Sequence, residues 1–274
     1  MLPPARVLSE MAALGLRATE LGPDGYLPRD PAELRRTLAA HGLGLVGGFV
    51  PLVLHEADAG PSLERARDSA DLMAAAGADV FVAALVVDDD WSAPVPLDAA
   101  GWRRVAARLA ELDALVAERG LTLALHPHAG SLLETADDVE LALEATGVGW
   151  CLDTGHLLIG GVDPARFVEE HAGRIVHVHL KDVDAELAAR VRAGELSLLE
   201  ATRAGLFRPL GLGDAGIGRV VDLLDRAGYE RWLVLEQDTA ITGEEPPVGD
   251  GPMLDVARSI EFLTTPAPTE EITS

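Results

Sequence analysis

Short apolar runs that alternate with amphipathic stretches constrain this chain more than any other feature of its sequence. Leu16 to Leu21, Gly44 to Leu52, Asp79 to Val87, Leu121 to His128, Val148 to Asp153, Ile175 to Asp182 and Trp232 to Gln237 are rich in Val, Leu and Ile. Each is bounded by Gly, Pro or Asp, the punctuation expected of buried strands. Helical patterning fills the intervals, over Pro31 to His41, Leu63 to Ala76, Leu97 to Arg119, Ala136 to Thr146, Pro164 to Ala172 and Gly218 to Ala227. Asp30-Pro31 and Asp163-Pro164 place a capping carboxylate before a first-turn proline, and Gly120 and Gly228 stand where helices stop. Neighbouring strands joined through whole helices must run parallel, because a tight hairpin cannot connect them.

Two parallel architectures meet that description, the open doubly wound sheet and the closed (β/α)8 TIM barrel. No Gly-x-Gly-x-x-Gly separates the first strand from the first helix, as a dinucleotide binder of the open type requires. Polar residues gather instead at the C-terminal ends of several strands, the position of active sites in barrels. The expectation is a single α/β barrel domain over residues 1–263, with an insertion at 183–207 overhanging the active face and a disordered tail at 264–274. The chain opens on a helical pattern, Arg6 to Leu14, so the barrel lacks its first strand and shows two open edges. Such edges favour association, which leaves a homo-oligomer open without fixing the oligomeric state.

Charge limits the partners. Among 274 residues, 45 are Asp or Glu and 22 are Lys or Arg, a formal net charge of −23. A field of that sign repels nucleic acid and anionic membranes. At 48% hydrophobic residues the acidity does not signal disorder. The longest apolar stretch, Val80 to Val87, is too short to cross a bilayer, and one cysteine, Cys151, cannot form an internal disulfide. A cytoplasmic protein acting on a small molecule is expected.

Strand pleating then sorts the polar residues, since positions two apart share a face. His177, His179 and Lys181 lie on one face of their strand and Val176, Val178 and Leu180 on the other. The outer face of a barrel strand packs on helices, so the histidines and the lysine point inward. Cys151 and Asp153 form a similar pair, as do Glu236 and Asp238, and His126 and His128 stand at another strand end. Four strand ends thus bring imidazoles and carboxylates to one mouth, the donor mixture that borderline divalent cations select.

The motifs are His126-Pro-His128-Ala-Gly-Ser-Leu-Leu-Glu134-Thr135, Cys-Leu-Asp153-Thr-Gly-His156, and His177-Val-His179-Leu-Lys181-Asp182. Leu-Val-Leu-Glu236-Gln-Asp and Glu20-Leu-Gly-Pro-Asp-Gly-Tyr26-Leu-Pro complete them. In this order they resemble the xylose isomerase-like TIM-barrel superfamily, and within it the inosose dehydratase-like and sugar phosphate isomerase/epimerase group. The resemblance implies one divalent ion (Mn, Co or Mg), with Asp153, His179 and Glu236 on three ligand positions. Glu134 is the expected fourth ligand and His126 the substitute. It further implies a small keto-sugar or keto-polyol, inosose included, whose metal-bound carbonyl acidifies the neighbouring C–H and gives an enediolate. Return of the proton elsewhere makes an isomerase or epimerase; loss of a β-hydroxyl makes a dehydratase. His128 and His156, with Glu236, are the expected acid and base. His126, Lys181, Arg208, Glu20 and Tyr26 are expected to contact substrate.

Weaker features stay open. Gly211-Leu-Gly-Asp-Ala-Gly-Ile-Gly either makes turns, the simpler reading, or cradles a phosphate on backbone N–H groups. Asp88-Asp89-Asp90 reads as a solvated loop, Cys151 as core, and Trp91 and Trp102 as mouth-lining or helix-packing residues. A metal-dependent nuclease would need further histidines after His179, and none follows. A metal-dependent hydrolase with His-x-His at its first strand is the minor alternative. A non-catalytic sugar-binding or partner subunit of the same fold is the other, and metal dependence separates it from an enzyme.

Overall fold

A computed structural model describes residues 1–265. The chain opens on α1 (Pro4–Ala13), β1 (Ala18–Glu20), α2 (Pro31–Ala39) and β2 (Gly44–Leu52). It continues through α3 (Gly60–Ala76), β3 (Val80–Leu85), α4 (Ala99–Ala117), β4 (Thr122–His126), α5 (Ala136–Ala145) and β5 (Gly149–Asp153). Then come α6 (Thr154–Gly160), α7 (Pro164–His171), a 3-10 turn and β6 (Ile175–Leu180). The remainder is β7 (Asp182–Val183), α8 (Ala185–Arg192), α9 (Leu198–Arg203), β8 (Phe207–Arg208), α10 (Ile217–Arg226), β9 (Leu233–Leu235) and α11 (Pro252–Thr264).

Seven strands pair in the order β1-β2-β3-β4-β5-β6-β9, every pair parallel, to form a nearly closed barrel. The seven expected strands are these seven, and two of the later ones, β4 and β6, end early for an identifiable reason. Pro127 has no N–H to extend β4, and the next N–H, from His128, is taken by the Leu133 carbonyl. Lys181 donates its backbone N–H to Thr154 Oγ1, which turns the chain out of β6 and into the two-residue β7. Within the described residues β1 and β9 are the two ends of the sheet, in line with the expected missing first strand. The first helix is tied to the chain beyond β9: Arg6 donates to the carbonyls of Pro246 and Pro247, at 2.6 and 2.8 Å, and pairs with Glu245.

Pleating separates two interiors. Phe81, Leu85, Leu123, Leu125, Trp150, Leu152, Val178 and Leu180 face outward into one large core with the helices. Val80, Val82, Ala124 and Cys151 form a small apolar cluster inside the barrel, below its polar mouth. At 25 cal/mol per Å² the outer layer supplies most of the driving force, since it buries the large side chains.

Sequence patterning missed two helices. The short α6 begins on the Asp153 carboxylate, which caps it by accepting the His156 N–H at 2.7 Å. Pro252 starts α11, whose last residue is Thr264; the rest of the expected tail, 266–274, lies outside the described residues. The insertion folds as α8 and α9 between β7 and β8, which pair antiparallel. It has its own apolar cluster, in which Val183, Ala188, Ala201, Leu206 and Phe207 pack on Ile159 of α6 and on Ala129.

Candidate metal centre

Four side chains from four strand ends meet at the C-terminal mouth. His126 Nε2 lies 3.2 Å from His179 Nδ1 and 3.4 Å from Asp153 Oδ2. His179 Nδ1 lies 3.7 Å from Asp153 Oδ2 and 3.3 Å from Glu236 Oε1. Register explains the convergence: Asp153 stands opposite His179 across β5 and β6, and His179 opposite Val234, two residues before Glu236. Asp153, His126 and His179 are buried, while Glu236 keeps 29% of its side chain exposed on the open side.

Lys181 neutralises part of this charge. Its Nζ lies 2.8 Å from Glu236 Oε2, 3.0 Å from Asp238 Oδ2 and 3.1 Å from His156 Nε2. Gly155 makes room for it, because a Cβ there would stand 2.7 Å from Lys181 Cγ. Burial alone would raise the Asp153 carboxyl, but Lys181 and His156 hold it well below the usual range. Burial likewise opposes charge on Lys181 and is overcome by Asp153, Glu236 and Asp238, so the ammonium persists. His179 is raised well above an ordinary histidine against its own burial, by Cys151, Glu236, Glu20 and Asp153.

His128 and His156 behave oppositely. Their rings stack with centroids 4.0 Å apart. Burial, His126 and Lys181 push His128 down to about 3, and burial, His128 and Lys181 lower His156 well below the ordinary value. Both rings are therefore neutral near pH 7. His128 Nδ1 donates to the Ala129 carbonyl at 2.7 Å, which leaves Nε2 with its lone pair. The two rings form part of a cavity of about 310 Å³, walled by Leu198, Leu199 and Phe207 of the insertion and by Asp238. Trp91, whose φ of 56° is unusual for a bulky residue, stands 5.0 Å from the His128 ring and stacks on Phe49.

The other residues singled out in the sequence divide. Glu20 reaches the interior, where its Oε1 lies 2.6 Å from His177 Nε2 and 3.1 Å from His179 Nε2. Glu134 is half-buried and accepts the Gly130 N–H; no other metal-capable side chain joins it among the described residues. Arg208 pairs with Asp184 at 3.0 Å, and the Tyr26 hydroxyl donates to the Leu2 carbonyl. The glycine-rich loop is already occupied by a carboxylate. Asp182 accepts the N–H groups of Gly211 and Gly213 on Oδ2 and of Val183 and Ala215 on Oδ1. The amides of residues 211–215 are therefore taken within the protein, which favours turn formation there. Cys151 is buried, its thiol pushed up to about 12 by burial. Trp102 packs in the helical layer, and Asp88 caps its own loop through the N–H groups of Asp90 and Ser92. Sequence reasoning placed His177 and Asp238 inward without naming their partners and did not foresee Asp182 in the glycine loop; those partners come from other strands and loops, so no local spacing marks them.

A divalent ion fits the four-residue cluster. Asp153 Oδ2 is buried without a hydrogen-bond partner, with the Lys181 ammonium 3.7 Å away and beyond hydrogen-bond reach, so its lone pairs remain available to a bound cation. Donors about 2.1 Å from one ion stand roughly 3.4 Å apart at tetrahedral angles, and the separations here run from 3.2 to 3.7 Å.

Comparison with known proteins agrees with the fold. The family model described as xylose isomerase-like TIM barrel matches residues 8–265, and the chain belongs to that family. Among curated relatives it is 34% identical over 245 residues to the rhizopine catabolism protein MocC of Rhizobium meliloti, covering 86% of this chain and 75% of that one. It is 32% identical over 247 residues to an inosose dehydratase of Geobacillus thermodenitrificans, covering 85% and 82%. An L-ribulose 3-epimerase structure superposes with a TM-score of 0.68 at 21% identity, over 95% of this chain and 87% of that one.

Proposed function

We propose that the protein is a divalent-metal-dependent enzyme that removes the proton beside the carbonyl of a small keto-polyol, and that it then expels a β-hydroxyl as a dehydratase. The convergence of His126 Nε2, Asp153 Oδ2, His179 Nδ1 and Glu236 Oε1 around an otherwise unsatisfied carboxylate oxygen carries this reading. Identity of 32% to an inosose dehydratase supports dehydration over the epimerase outcome, which shares the first step. His126 stands in the position assigned beforehand to Glu134, so His126 is the fourth ligand proposed. Two imidazole nitrogens and two carboxylate oxygens suit Co, Mn or Mg, with intrinsic affinity falling in that order as the ion becomes harder. When bound, the ion would act as a Lewis acid on the substrate's carbonyl oxygen.

The chain's own residues do the rest. Neutral His128, which lines the cavity and keeps its Nε2 lone pair because Nδ1 donates to the Ala129 carbonyl, accepts the proton from carbon. His156 lies beside it against the Lys181 ammonium. That ammonium fixes Glu236 and Asp238 in place, and its close contacts with them and His156 leave it poorly placed to hold substrate. The hydroxide that leaves the β-carbon takes the abstracted proton back from His128 and departs as water, which returns the imidazole to its neutral form. Among the described residues no Lys or Arg lines the cavity, and Arg208 and the amides of Gly211, Gly213 and Ala215 are engaged, which favours an unphosphorylated substrate.

The test is to incubate the Mn-loaded protein with an inosose in heavy water and follow the product by mass spectrometry. Loss of one water is expected from the wild type and none from D153N. Deuterium uptake without loss of water would assign epimerisation, and neither would leave a binding protein of the same fold.

A further inference from the structure

His179 has two ring nitrogens, and they face different surroundings. Nδ1 points into the four-donor cluster, at 3.3 Å from Glu236 Oε1, whereas Nε2 points the other way, at 3.1 Å from Glu20 Oε1. A neutral imidazole that offers its lone pair on Nδ1 must carry its proton on Nε2. Glu20 is the acceptor for that proton. Its side chain is only 12% exposed and comes from β1, at the far end of the sheet order from β9.

A second histidine fixes Glu20 in turn. His177 Nε2 lies 2.6 Å from the same Oε1 atom, and His177 Nδ1 is buried without a partner. The proton of a neutral His177 therefore sits on Nε2 and is donated to Glu20. One carboxylate oxygen thus receives two imidazole N–H groups from the same face of β6.

Glu20, His177 and His179 also present ligand atoms close enough to invite a reading as a second metal site. The distances argue against it. At 2.6 and 3.1 Å the carboxylate oxygen sits at hydrogen-bond separation from both nitrogens. Two ligands of one ion stand farther apart than the shorter of these, at roughly 3.4 Å in a tetrahedral site. The sequence alone suggested that Glu20 contacts substrate, but its inward oxygen is engaged by the histidines.

We propose that Glu20 is a positioning residue, held by His177, that orients the His179 ring and keeps its proton on Nε2, so that Nδ1 faces a divalent ion in the cluster. This inference rests on the proposed metal cluster. It assigns the early Glu20-Leu-Gly-Pro segment to support of the metal site rather than to recognition of the polyol.

The experiment measures Mn²⁺ affinity by calorimetry for wild type, E20Q and H177Q, beside the melting temperature of each metal-free protein and the visible spectrum of each Co²⁺-loaded one. Carboxylate partners of metal-bound histidines commonly contribute about 10–100-fold in affinity. E20Q is expected to weaken Mn²⁺ by a factor in that range and to alter the Co²⁺ bands. H177Q, which keeps a donor for Glu20, is expected to lose about 10-fold or less. A role in folding alone would lower the melting temperatures and leave affinity and spectrum unchanged. If wild type binds Mn²⁺ and both variants match it within about twofold, the inference is overturned and the metal cluster survives. If wild type takes up no Mn²⁺, the cluster reading falls and this inference falls with it. Should E20Q fail to fold, H177Q decides by the same two readouts.

Discussion

Titration at single residues sets how this site would respond to pH. His179 is raised above the ordinary histidine value by the carboxylates around it, so in the metal-free protein a proton competes for Nδ1. Metal uptake must displace that proton. Mn²⁺ affinity is therefore expected to rise with pH, with release of about one proton per ion, measurable by calorimetry in buffers of different ionisation heat. His128 contributes in the opposite sense. Its folded value of about 3 lies below the unfolded value near 6.5. Its stabilising contribution is complete above about pH 6.5 and is lost as the pH falls toward 3, because the unfolded chain then binds the proton more readily. Asp153, Glu20 and Glu236 are also depressed, and they add a further loss below about pH 4. Thermal melts across that range are expected to fall less steeply between pH 6.5 and 4.5 in H128Q than in wild type. Equal slopes would remove His128 from the acid response.

At the scale of elements, glycines show where the backbone must approach closely. A Cβ on Gly160, in the last turn of α6, would collide with the Glu134 carbonyl. The backbone leading into α5 thus runs directly against α6, and G160A is expected to cost about 1–3 kcal/mol. Denaturant unfolding measures this, and an undiminished midpoint would show that the two segments separate freely. Gly155 differs, because there the obstacle is the stem of Lys181 at 2.7–3.0 Å. Displacing that stem would pull the ammonium from Glu236 and Asp238. G155A is expected to lower turnover by at least about tenfold, roughly 1.4 kcal/mol in barrier, for a stability loss within the same 1–3 kcal/mol. Turnover beside melting temperature separates the two effects.

For the molecule as a whole, the metal cluster joins strands that are distant in sequence. His126, Asp153, His179 and Glu236 stand on or just past β4, β5, β6 and β9, so a bound ion would cross-link four strands. A ligand at 100 times its dissociation constant adds about 2.7 kcal/mol to the folded state. At about 2–4 °C per kcal/mol for a chain of this size, Mn²⁺ is expected to raise the melting temperature by roughly 5–10 °C, and by nothing in D153N. Calorimetric scans with and without the ion test this. No described helix is long and apolar enough to cross a membrane.

Periodicity alone placed the seven sheet strands and the inward faces of His177, His179, Asp153 and Cys151. Alternation in a strand is a local property: once Val178 and Leu180 face helices, their neighbours have nowhere to point but the barrel axis. Strand ends were less legible, because Lys181 leaves β6 only when Thr154, far off in sequence, takes its N–H. The helix α6 was hidden because its cap is Asp153, a residue that reads as the end of a strand. What the sequence could not rank was pairwise distance. His126 over Glu134 beside Asp153, Glu20 on the back of His179, and Asp182 filling the glycine loop all depend on strand register and on the path of loops. Residue type and alternation are written along the chain and so determined the barrel and its polar mouth. The partners of His126, His177, His179 and Lys181 were decided by tertiary structure, because they are brought from 25 to 159 residues away by the closure of the sheet.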